Sequence, residues 1–324
     1  MADGLAAAEV RRAVRAALAA LPDPYGAAPV LVACSGGADS VALAAAALAV
    51  RPGEVHAAVV DHGLQPGSAK QAQIVAELLA GLGAVAAVHR VDVLGAGGVE
   101  AAARRARHAA LRAARPDEHS PVLLGHTLDD QAETVLLGLG RGSGPRSIAG
   151  MRTWDEPWLR PLLGVRRAVS RAACAELGLP VWDDPHNTDP RFTRVRLRHE
   201  VLPLLEDVLS GGVAEALART AAQLREDGDA LDELAAGTLA AVTAPDGELL
   251  LEPLAGVVPA VRRRVLRAWL TGRSVTGLTE SHLRGADVLA GRGPDRGGVA
   301  LPGGLELVRA RGRLSLRPVR WPAR

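Results

Sequence analysis

The segment Cys34-Ser35-Gly36-Gly37-Ala38-Asp39-Ser40 follows an apolar run, Val30 to Ala33, and precedes an alanine- and leucine-rich run, Val41 to Val50. This order predicts a buried strand, a glycine turn and a helix. Such a turn directs several backbone N–H groups at one point, and the start of the following helix adds partial positive charge there. Gly36 and Gly37 let the backbone approach a ligand closely, while Ser35 and Ser40 offer hydroxyl donors. We therefore predict a phosphate-binding loop at residues 35–40.

Asp39 is the unusual member of this loop, because a carboxylate beside a phosphate repels it. A bound Mg²⁺ between the two anions would remove the repulsion. Alternatively, Asp39 only favours the helix start, where acidic residues suit the first turn. No lysine follows the glycines, so the loop is not a P-loop of the G-x-x-x-x-G-K-[ST] type. The SGGxDS pattern instead resembles the pyrophosphate loop of N-type ATP pyrophosphatases, which implies cleavage of ATP between its α and β phosphates and adenylation of an oxygen.

Length and composition limit the class of protein. The 324 residues are enough for two domains, and the hydrophobic content of 48% indicates a globular chain. A net charge of +2 is too small to argue for an RNA partner by itself, and Lys70 is the only lysine, so we attribute the many arginines first to GC-rich codon usage. The two cysteines form no C-x-x-C pair, which fits a reducing compartment. Without an export signal or an apolar run longer than Val41 to Val50, the sequence predicts a cytoplasmic protein that does not enter a membrane.

Strand-like and helical patterns alternate along the first two thirds of the chain. Strands are predicted at 30–33, 56–60, 84–91 and 122–124, and helices at 5–20, 41–50, 69–82, 100–114, 129–139 and 166–177. This alternation favours an α/β fold with a doubly wound, mostly parallel sheet, in which ligands bind beyond the carboxyl ends of the strands. From Val213 onward, amphipathic helices and short strand-like pieces take over. We therefore predict a catalytic domain at 1–206 and a smaller, mostly helical C-terminal domain at 207–324.

The segment after the fourth predicted strand carries His126 and two carboxylates, Asp130 and Glu133. On a helix, the apolar residues of this segment share one face and the two carboxylates point away from it together. This pattern suits either a ligand-binding acidic pair or a solvated acidic face at a helix start. Because His126 lies at the carboxyl end of a strand, as the loop at 35–40 does, we expect the two to lie close together. The turn at Asp61 and His62 lies at a further strand end, and suits either a nucleotide contact or an ordinary hydrogen-bonded turn.

Arginines alternate after a single aromatic residue, Phe192, at Arg194, Arg196 and Arg198. That pattern suits an RNA backbone with a base to stack, although it also fits a helix in which arginine merely reflects the composition of the genome. The glycine-rich stretch from Gly138 to Gly150 is predicted to be a mobile loop over the site.

Taken together, residues 30–205 resemble the tRNA(Ile)-lysidine synthase family in the order and spacing of five segments. These are SGGADS at 35–40, VDHGLQPGS at 60–68, EAAARRARHAAL at 100–111, GHTLDDQAETVLLGLGRGSG at 125–144 and WDDPHNTDPRFTRVRLRHEVLP at 182–203. Two departures concern the site: Thr127 replaces the second histidine of the family's HHxDDQAET segment, and Val195 replaces an asparagine.

The resemblance implies an adenine nucleotide alpha hydrolase-like fold and a ligase that joins L-lysine to C2 of cytidine 34 in a tRNA(Ile) with a CAU anticodon. The reaction passes through an adenylated cytidine and releases AMP and diphosphate. It also implies contacts with the tRNA anticodon loop and Mg²⁺ as a cofactor, and it allows a homodimer.

Carried onto this chain, the resemblance and the residue patterns give a set of candidate site residues. We expect the ATP site at Ser35, Gly36, Gly37, Ala38, Asp39, Ser40, Asp61 and His62, with Mg²⁺ at Asp39. Catalytic groups are expected at Asp39, His126, Asp130 and Glu133, and lysine is expected to bind Asp130 and Glu133. The tRNA is expected to contact Arg104, Arg107, Arg141, Arg194, Arg196 and Arg198, helped by C-terminal arginines at 262–264 and 267.

Three other interpretations remain. A cytidine thiolase-like enzyme shares the ATP loop, but its chemistry uses sulfur carriers or a metal cluster held by C-x-x-C pairs, and Cys34 and Cys174 form no such pair. An amidating enzyme would need an ammonia source, and no glutaminase segment is visible. A non-catalytic ATP- or RNA-binding module is the third.

Overall fold

The structure is a computed structural model that describes residues 4–63, 65, 67–93, 98–142, 144–184, 188–291 and 297–319. Parts of three predicted segments lie outside these ranges: Leu64 and Pro66, Ser143, and Pro185 to Asn187. The chain divides into two compact units, Met1–Ala222 and Gln223–Arg324. This division falls inside a continuous helix, Val213–Val242, and the predicted domain limits of 1–206 and 207–324 stay a prediction.

The first unit alternates strands and helices in the predicted order. Its strands are β1 (Val30–Ala33), β2 (Val55–Asp61), β3 (Val85–Arg90), β4 (Val122–Leu124), β5 (Trp154–Asp155) and β6 (Trp158–Leu159). Its helices are α1 (Leu5–Ala19), α2 (Ala38–Val50), α3 (Ser68–Gly81), α4 (Val99–Ala113), α5 (Leu128–Gly140), α6 (Pro145–Ile148), α7 (Arg167–Glu176), α8 (Thr193–Arg196) and α9 (Leu202–Val208), with a π-helical turn at Leu197–Val201 between the last two. Helix α10 (Val213–Val242) leads out of this unit.

The sheet of the first unit has the strand order β3-β2-β1-β4-β6-β5, and every pair except β5–β6 is parallel. The predicted doubly wound, mostly parallel sheet is therefore confirmed. Strand β1 lies between β2 and β4, so the strand order reverses beside it, and ligands bind at such a switch point. The carboxyl ends of these three strands lead into the loop at 34–37, the turn at Asp61 and the segment at His126.

Helix α2 is the best-buried helix next to this sheet. Its sequence is apolar on nearly every face, which is typical of a helix covered on several sides. It packs against α1 and α7, and Val41, Leu43 and Ala44 are fully buried. Burial of a side chain such as Leu43 contributes roughly 1.5–3 kcal/mol, so this packing fixes where the first turn of α2, with Asp39, lies.

The glycine-rich stretch from Gly138 to Gly150 differs from its prediction. Helix α5 continues to Gly140, and α6 forms a further turn at Pro145–Ile148. A Cβ atom on Gly138 would clash with the backbone of Ser147, so this glycine permits the close contact of α5 with α6. The prediction of a loop throughout the stretch is therefore wrong, because Gly138 serves packing rather than a turn.

The second unit combines helices with a small antiparallel sheet. Its strands are β7 (Leu249–Leu250), β8 (Gly297–Leu301), β9 (Leu305–Ala310) and β10 (Arg313–Pro318), in the order β7-β10-β9-β8. Its helices are the second part of α10, α11 (Leu251–Ala255), α12 (Pro259–Gly272) and α13 (Glu280–Gly291). The mostly helical character is confirmed, with this sheet as an addition. Within the ranges described, no helix has the length and apolar character needed to cross a membrane.

Candidate active site

The loop before α2 is held by its own side chains. The Ser40 hydroxyl donates to Gly37 O at 2.9 Å and accepts from Ser35 N at 3.1 Å. Gly36 has a φ of +88°, which residues other than glycine rarely adopt. A Cβ atom at this position would also lie only 2.6 Å from Val75 Cγ2, so the close packing requires glycine as well. Trp182 N donates to Gly36 O at 2.9 Å from the far side of the loop. Phosphate contacts by this loop stay a prediction for Ser35, Gly36, Gly37, Ala38 and Ser40.

Gly125 brings the acidic helix against the loop. A Cβ atom on Gly125 would lie 3.1 Å from the backbone C and O of Asp39 and from Ser40 N. This close approach places the start of α5, which follows His126, beside the first turn of α2. The structure therefore brings together the loop at 35–40 and the segment at 126–133, as the sequence predicts.

Thr127 begins α5 as its N-cap and orients Asp130. Thr127 N and Thr127 Oγ1 both donate to Asp130 Oδ2, at 2.8 and 2.7 Å, and Asp130 N donates to Thr127 Oγ1 at 3.4 Å. Such a capping box satisfies two backbone donors of the helix start, and a threonine N-cap is worth about 1 kcal/mol. Thr127, which replaces a histidine of the family pattern, therefore serves as the helix cap. Val195, which replaces an asparagine of that pattern, is a buried apolar residue.

Arg167 joins the three predicted catalytic carboxylates. Its Nη2 donates to Asp130 Oδ1 at 2.6 Å, its Nη1 to Glu133 Oε1 at 3.4 Å and its Nε to Asp39 Oδ2 at 3.4 Å. Glu133 is fully buried and also accepts from Arg198 Nε at 2.9 Å. Sequence reasoning missed Arg167. A signal existed, since an arginine in the first turn of a helix opposes the helix dipole and calls for an acidic partner.

A cavity of about 190 Å³ adjoins this cluster. Its lining combines three carboxylates, three guanidinium groups and an apolar wall: Asp129, Glu133, Glu206, Arg166, Arg167, Arg198, Leu202, Pro203 and Ala214. Charges of both signs around an apolar wall suit a small zwitterion with an aliphatic part. A larger cavity, about 750 Å³, lies in the second unit beside β9 and β10, but Glu306 and Arg317 are the charged residues of its lining. The smaller cavity is therefore the one beside the predicted catalytic carboxylates, and of these Glu133 lines it.

One oxygen of the Asp39 carboxylate pairs with Arg167, but the other lacks a partner among the described residues. Burial raises the pKa of its carboxyl to about 6, despite the opposing charge of Arg167. Its Oδ1 is buried and has no hydrogen-bond partner within the described part of the chain. A divalent cation at this oxygen would stabilise the anion, and Mg²⁺ commonly takes only one or two protein carboxylates together with substrate phosphates. The described residues contain no cluster of three or more His, Cys, Asp or Glu side chains that could hold a metal without such help.

His126 and Asp130 differ in charge at neutral pH. Burial lowers the pKa of the His126 imidazole to about 4, despite the nearby Asp130 carboxylate. Its Nδ1 is buried and unpartnered among the described residues. For Asp130, burial alone would raise the pKa, but the charge of Arg167 and the two bonds from Thr127 hold it below its ordinary value. A neutral imidazole therefore lies beside an ionised carboxylate.

We expect NMR titration of the His126 ring to show a midpoint near pH 4 in the folded protein and near 6.5 in urea. The unfolded chain then binds a proton that the folded chain does not, so His126 contributes stability that is present above pH 6.5 and lost as the pH falls toward 4. A folded-state midpoint near 6.5 would contradict the burial argument. The denatured sample is the internal control.

The turn at the end of β2 is hydrogen-bonded. Asp61 Oδ1 accepts from Gly63 N at 2.9 Å, which matches the simpler interpretation of this segment. Burial, and then the charge of Arg107, lower the pKa of the neighbouring His62 imidazole. Nucleotide contacts by Asp61 and His62 stay a prediction.

The predicted tRNA-binding arginines occupy different environments. Arg104 is exposed and Arg107 half-buried on α4, and Arg141 is exposed at the end of α5. Arg194 Nη1 lies 4.0 Å from Glu133 Oε2, and Arg198 contacts Glu133 and Asp130, so both belong to the acidic site. Arg196 pairs with Glu200 at 2.8 Å. In the second unit, Arg262, Arg263 and Arg264 pair with Asp287 or Asp232. Contacts of these arginines with tRNA stay a prediction.

Among solved structures, the U34-tRNA thiolase NcsA from Methanococcus maripaludis, with its 4Fe-4S cluster, is similar in fold. It is 19% identical, with a TM-score of 0.54, over 68% of this chain and 79% of that chain. At this identity the similarity concerns the fold of the parallel sheet and its helices, not the reaction.

Sequence comparisons identify the family. Residues 10–205 match the PP-loop domain, and residues 249–315 match the TilS substrate binding domain. The tRNA(Ile)-lysidine synthase of Rhodococcus erythropolis is 58% identical over 89% of each chain. The tRNA(Ile)-lysidine synthase of Nocardia farcinica is 58% identical, over 97% of this chain and 100% of its own length. That of Mycobacterium tuberculosis is 60% identical over 83% of each chain. The chain therefore belongs to the tRNA(Ile)-lysidine synthase family.

Proposed function

We propose that the chain ligates L-lysine to C2 of cytidine 34 in a tRNA(Ile) with a CAU anticodon, consuming ATP and releasing AMP and diphosphate. The observation that carries this proposal is the contact at Gly125, which sets the loop at 35–40 against the acidic pair Asp130 and Glu133. A phosphate-binding turn and a site for an ammonium group then lie within reach of one base. The names of the relatives and of the domain matched at 249–315 agree with a tRNA substrate.

The first step activates the base. O2 of cytidine attacks the α-phosphorus of ATP, forming an O–P bond as the bond from that phosphorus to diphosphate breaks. The loop's backbone N–H groups and the start of α2 stabilise the charge of the departing diphosphate. Mg²⁺, which Asp39 would hold, supplies further charge neutralisation when bound.

The second step needs a neutral amine. The ε-amine of lysine attacks C2, and AMP leaves with the original O2. Because a free lysine has a pKa of about 10.4, deprotonating it at pH 7 costs about 4.6 kcal/mol. A carboxylate placed beside the amine can accept the proton as attack proceeds.

We assign proton acceptance to Asp130 rather than Glu133. The Asp130 side chain is 13% exposed, whereas Glu133 lines the cavity but has a fully buried side chain that is paired with both Arg167 and Arg198. Glu133 instead orients Arg167 and Arg198. The guanidinium groups of Arg167 and Arg198 offset the negative charge of Asp130 and Glu133. These two carboxylates can therefore bind the ammonium group of lysine but raise the pKa of that group less than unpaired carboxylates would.

The test is to incubate the protein with ATP, labelled lysine and tRNA(Ile) transcripts bearing CAU or a changed anticodon. We expect label in the RNA only with ATP, lysine and the CAU anticodon present together. Sulfur transfer to the RNA instead would favour the thiolase-like alternative. Binding of ATP and RNA without any covalent product would favour the non-catalytic module.

We expect tRNA affinity to fall steeply with salt, because neutralised phosphates release counterions. Replacing the exposed Arg104 with glutamine should weaken binding and reduce the slope of log affinity against log salt by about 0.7–0.9. Filter binding between 50 and 300 mM salt measures both. Arg15, an exposed arginine of α1 outside the predicted set, is the matched control. An unchanged slope for Arg104→Gln would remove Arg104 from the interface.

We also propose a cytoplasmic location, since the substrates ATP, lysine and tRNA all occur there. A homodimer, which the family resemblance allows, is checked by light scattering of the purified chain.

A further inference from the structure

Arg167 belongs to two sites at once. Its side chain spans the Asp39 carboxylate of the phosphate loop and the acidic pair of α5. Its own backbone is anchored separately, because Arg167 N donates to Asp129 Oδ2 at 2.8 Å. The guanidinium can therefore change partners while the start of α7 stays in place.

The acidic pair offers a substrate few free oxygens. Both donors of Thr127 use Asp130 Oδ2, which leaves Asp130 Oδ1 for an incoming ammonium. Arg167 Nη2 already holds that oxygen at 2.6 Å, and Arg198 Nη2 lies further from it, at 3.5 Å. A lysine ammonium bound by Asp130 must therefore compete with the guanidinium of Arg167. Glu133, by contrast, keeps Arg198 as a counter-ion if Arg167 leaves.

A bound triphosphate would give Arg167 a better partner. Its Nε lies only 3.4 Å from Asp39 Oδ2, in the first turn of the helix that follows the phosphate loop. Phosphate oxygens match the guanidinium fork and form strong charge-assisted hydrogen bonds with it. The contact with Asp39, at 3.4 Å, is a long one that costs little to exchange.

We propose that Arg167 is a positioning residue that occupies the ammonium position on Asp130 in the free protein and moves to the nucleotide phosphates when ATP binds, which opens the lysine site. This inference rests on the proposed function. Its consequence is positive coupling between the two substrates: ATP raises the affinity for lysine, and lysine equally raises the affinity for ATP. Couplings of this kind are typically about 5- to 150-fold.

The experiment measures the dissociation constant of L-lysine by calorimetry, with and without α,β-methylene-ATP and Mg²⁺. In the unmodified protein we expect the nucleotide analogue to raise lysine affinity at least about fivefold. In Arg167→Gln, lysine should bind without nucleotide nearly as tightly as it binds the unmodified protein with nucleotide. The analogue should then change this affinity less than about twofold, because the nearer of the two guanidinium groups at Asp130 Oδ1 is absent.

Arg171→Gln is the matched control. Arg171 lies one turn further along α7 and pairs with the exposed Asp183, so its loss should leave the coupling intact. Arg167→Lys is a second variant that keeps the proposal testable if Arg167→Gln does not fold, because it keeps a positive charge beside the buried Glu133. A single ammonium group cannot bridge Asp39 and Asp130, so the coupling between ATP and lysine should again be lost.

Three results would overturn the inference alone. The first is that Arg167→Gln binds lysine without nucleotide more weakly than the unmodified protein does, since Arg167 would then hold the substrate. The second is full coupling in Arg167→Lys, and the third is the absence of coupling in an unmodified protein that binds lysine. If the unmodified protein binds no lysine with or without the analogue, the proposed function itself fails and the inference fails with it.

Discussion

Replacing Asp130 with asparagine is expected to slow lysine incorporation at least 100-fold while leaving adenylation of the tRNA largely intact. A positioned general base typically contributes about 10²- to 10⁴-fold, and the asparagine cannot accept the proton. Its amide oxygen can still accept from Thr127 N and Thr127 Oγ1, so the helix cap and the start of α5 should survive. The variant therefore separates the second step of the reaction from the first.

Single-turnover experiments measure both steps, through labelled AMP on the tRNA and labelled lysine in the product. The pH dependence gives a sharper readout than the rate alone. Without a base on the protein, lysine must deprotonate in solution, so the variant's rate should rise about tenfold per pH unit up to the free amine pKa of about 10.4. The unmodified enzyme should show a shallower rise.

Asp117→Asn is a suitable control for this variant. It also removes one carboxylate, but Asp117 is exposed and only caps the turn at His119 before β4, at the opposite end of the strand from His126. Full lysine affinity and unchanged lysidine formation in Asp130→Asn would show that Asp130 has neither role.

The sequence predicted the central sheet well because its signals are local. The apolar runs at 30–33 and 122–124 are each followed by a turn and a helix, a pattern that favours buried parallel strands over other secondary structure. The hairpin of β5 and β6 was missed because two-residue strands such as Trp158–Leu159 carry no alternation. The strand at 297–301 was missed for a related reason, since it begins with two glycines.

The candidate site shows a different limit. Asp39, Asp130 and Glu133 were predictable because each falls in a segment with a recognisable order of residues. Arg167 was missed, because its place in the first turn of α7 is a weak signal and its role depends on where α7 packs against α2. Arg198 was predicted as a tRNA contact from its spacing with Arg194 and Arg196, and that contact stays a prediction; the pairing of its side chain with Glu133 was not foreseen. Ion pairs between residues that are distant in sequence leave only a weak local pattern.

Replacing Asp39 with asparagine should stabilise the free protein and strongly slow its first reaction step. Because the folded carboxyl has a pKa of about 6 against an ordinary 3.8, the folded chain holds this proton more tightly than the unfolded chain. The free energy of unfolding therefore falls as the pH rises from about 4 to about 6, by about 3 kcal/mol in total. Asparagine removes that penalty, so the variant should gain up to about 3 kcal/mol at pH 8 and almost nothing near pH 4.

The same substitution removes the carboxylate that we propose holds a cation at the phosphate loop. Loss of charge stabilisation of this kind costs about 10²- to 10³-fold in rate, so AMP transfer to the tRNA should fall by at least that factor. Urea unfolding at pH 5 and pH 8 measures the stability, and release of diphosphate measures the reaction, with Asp117→Asn again as the control. A variant less stable than the unmodified chain at pH 8 would mean that the pair with Arg167 outweighs burial. Retained adenylation would mean that the buried, unpartnered oxygen of Asp39 has no cation to hold.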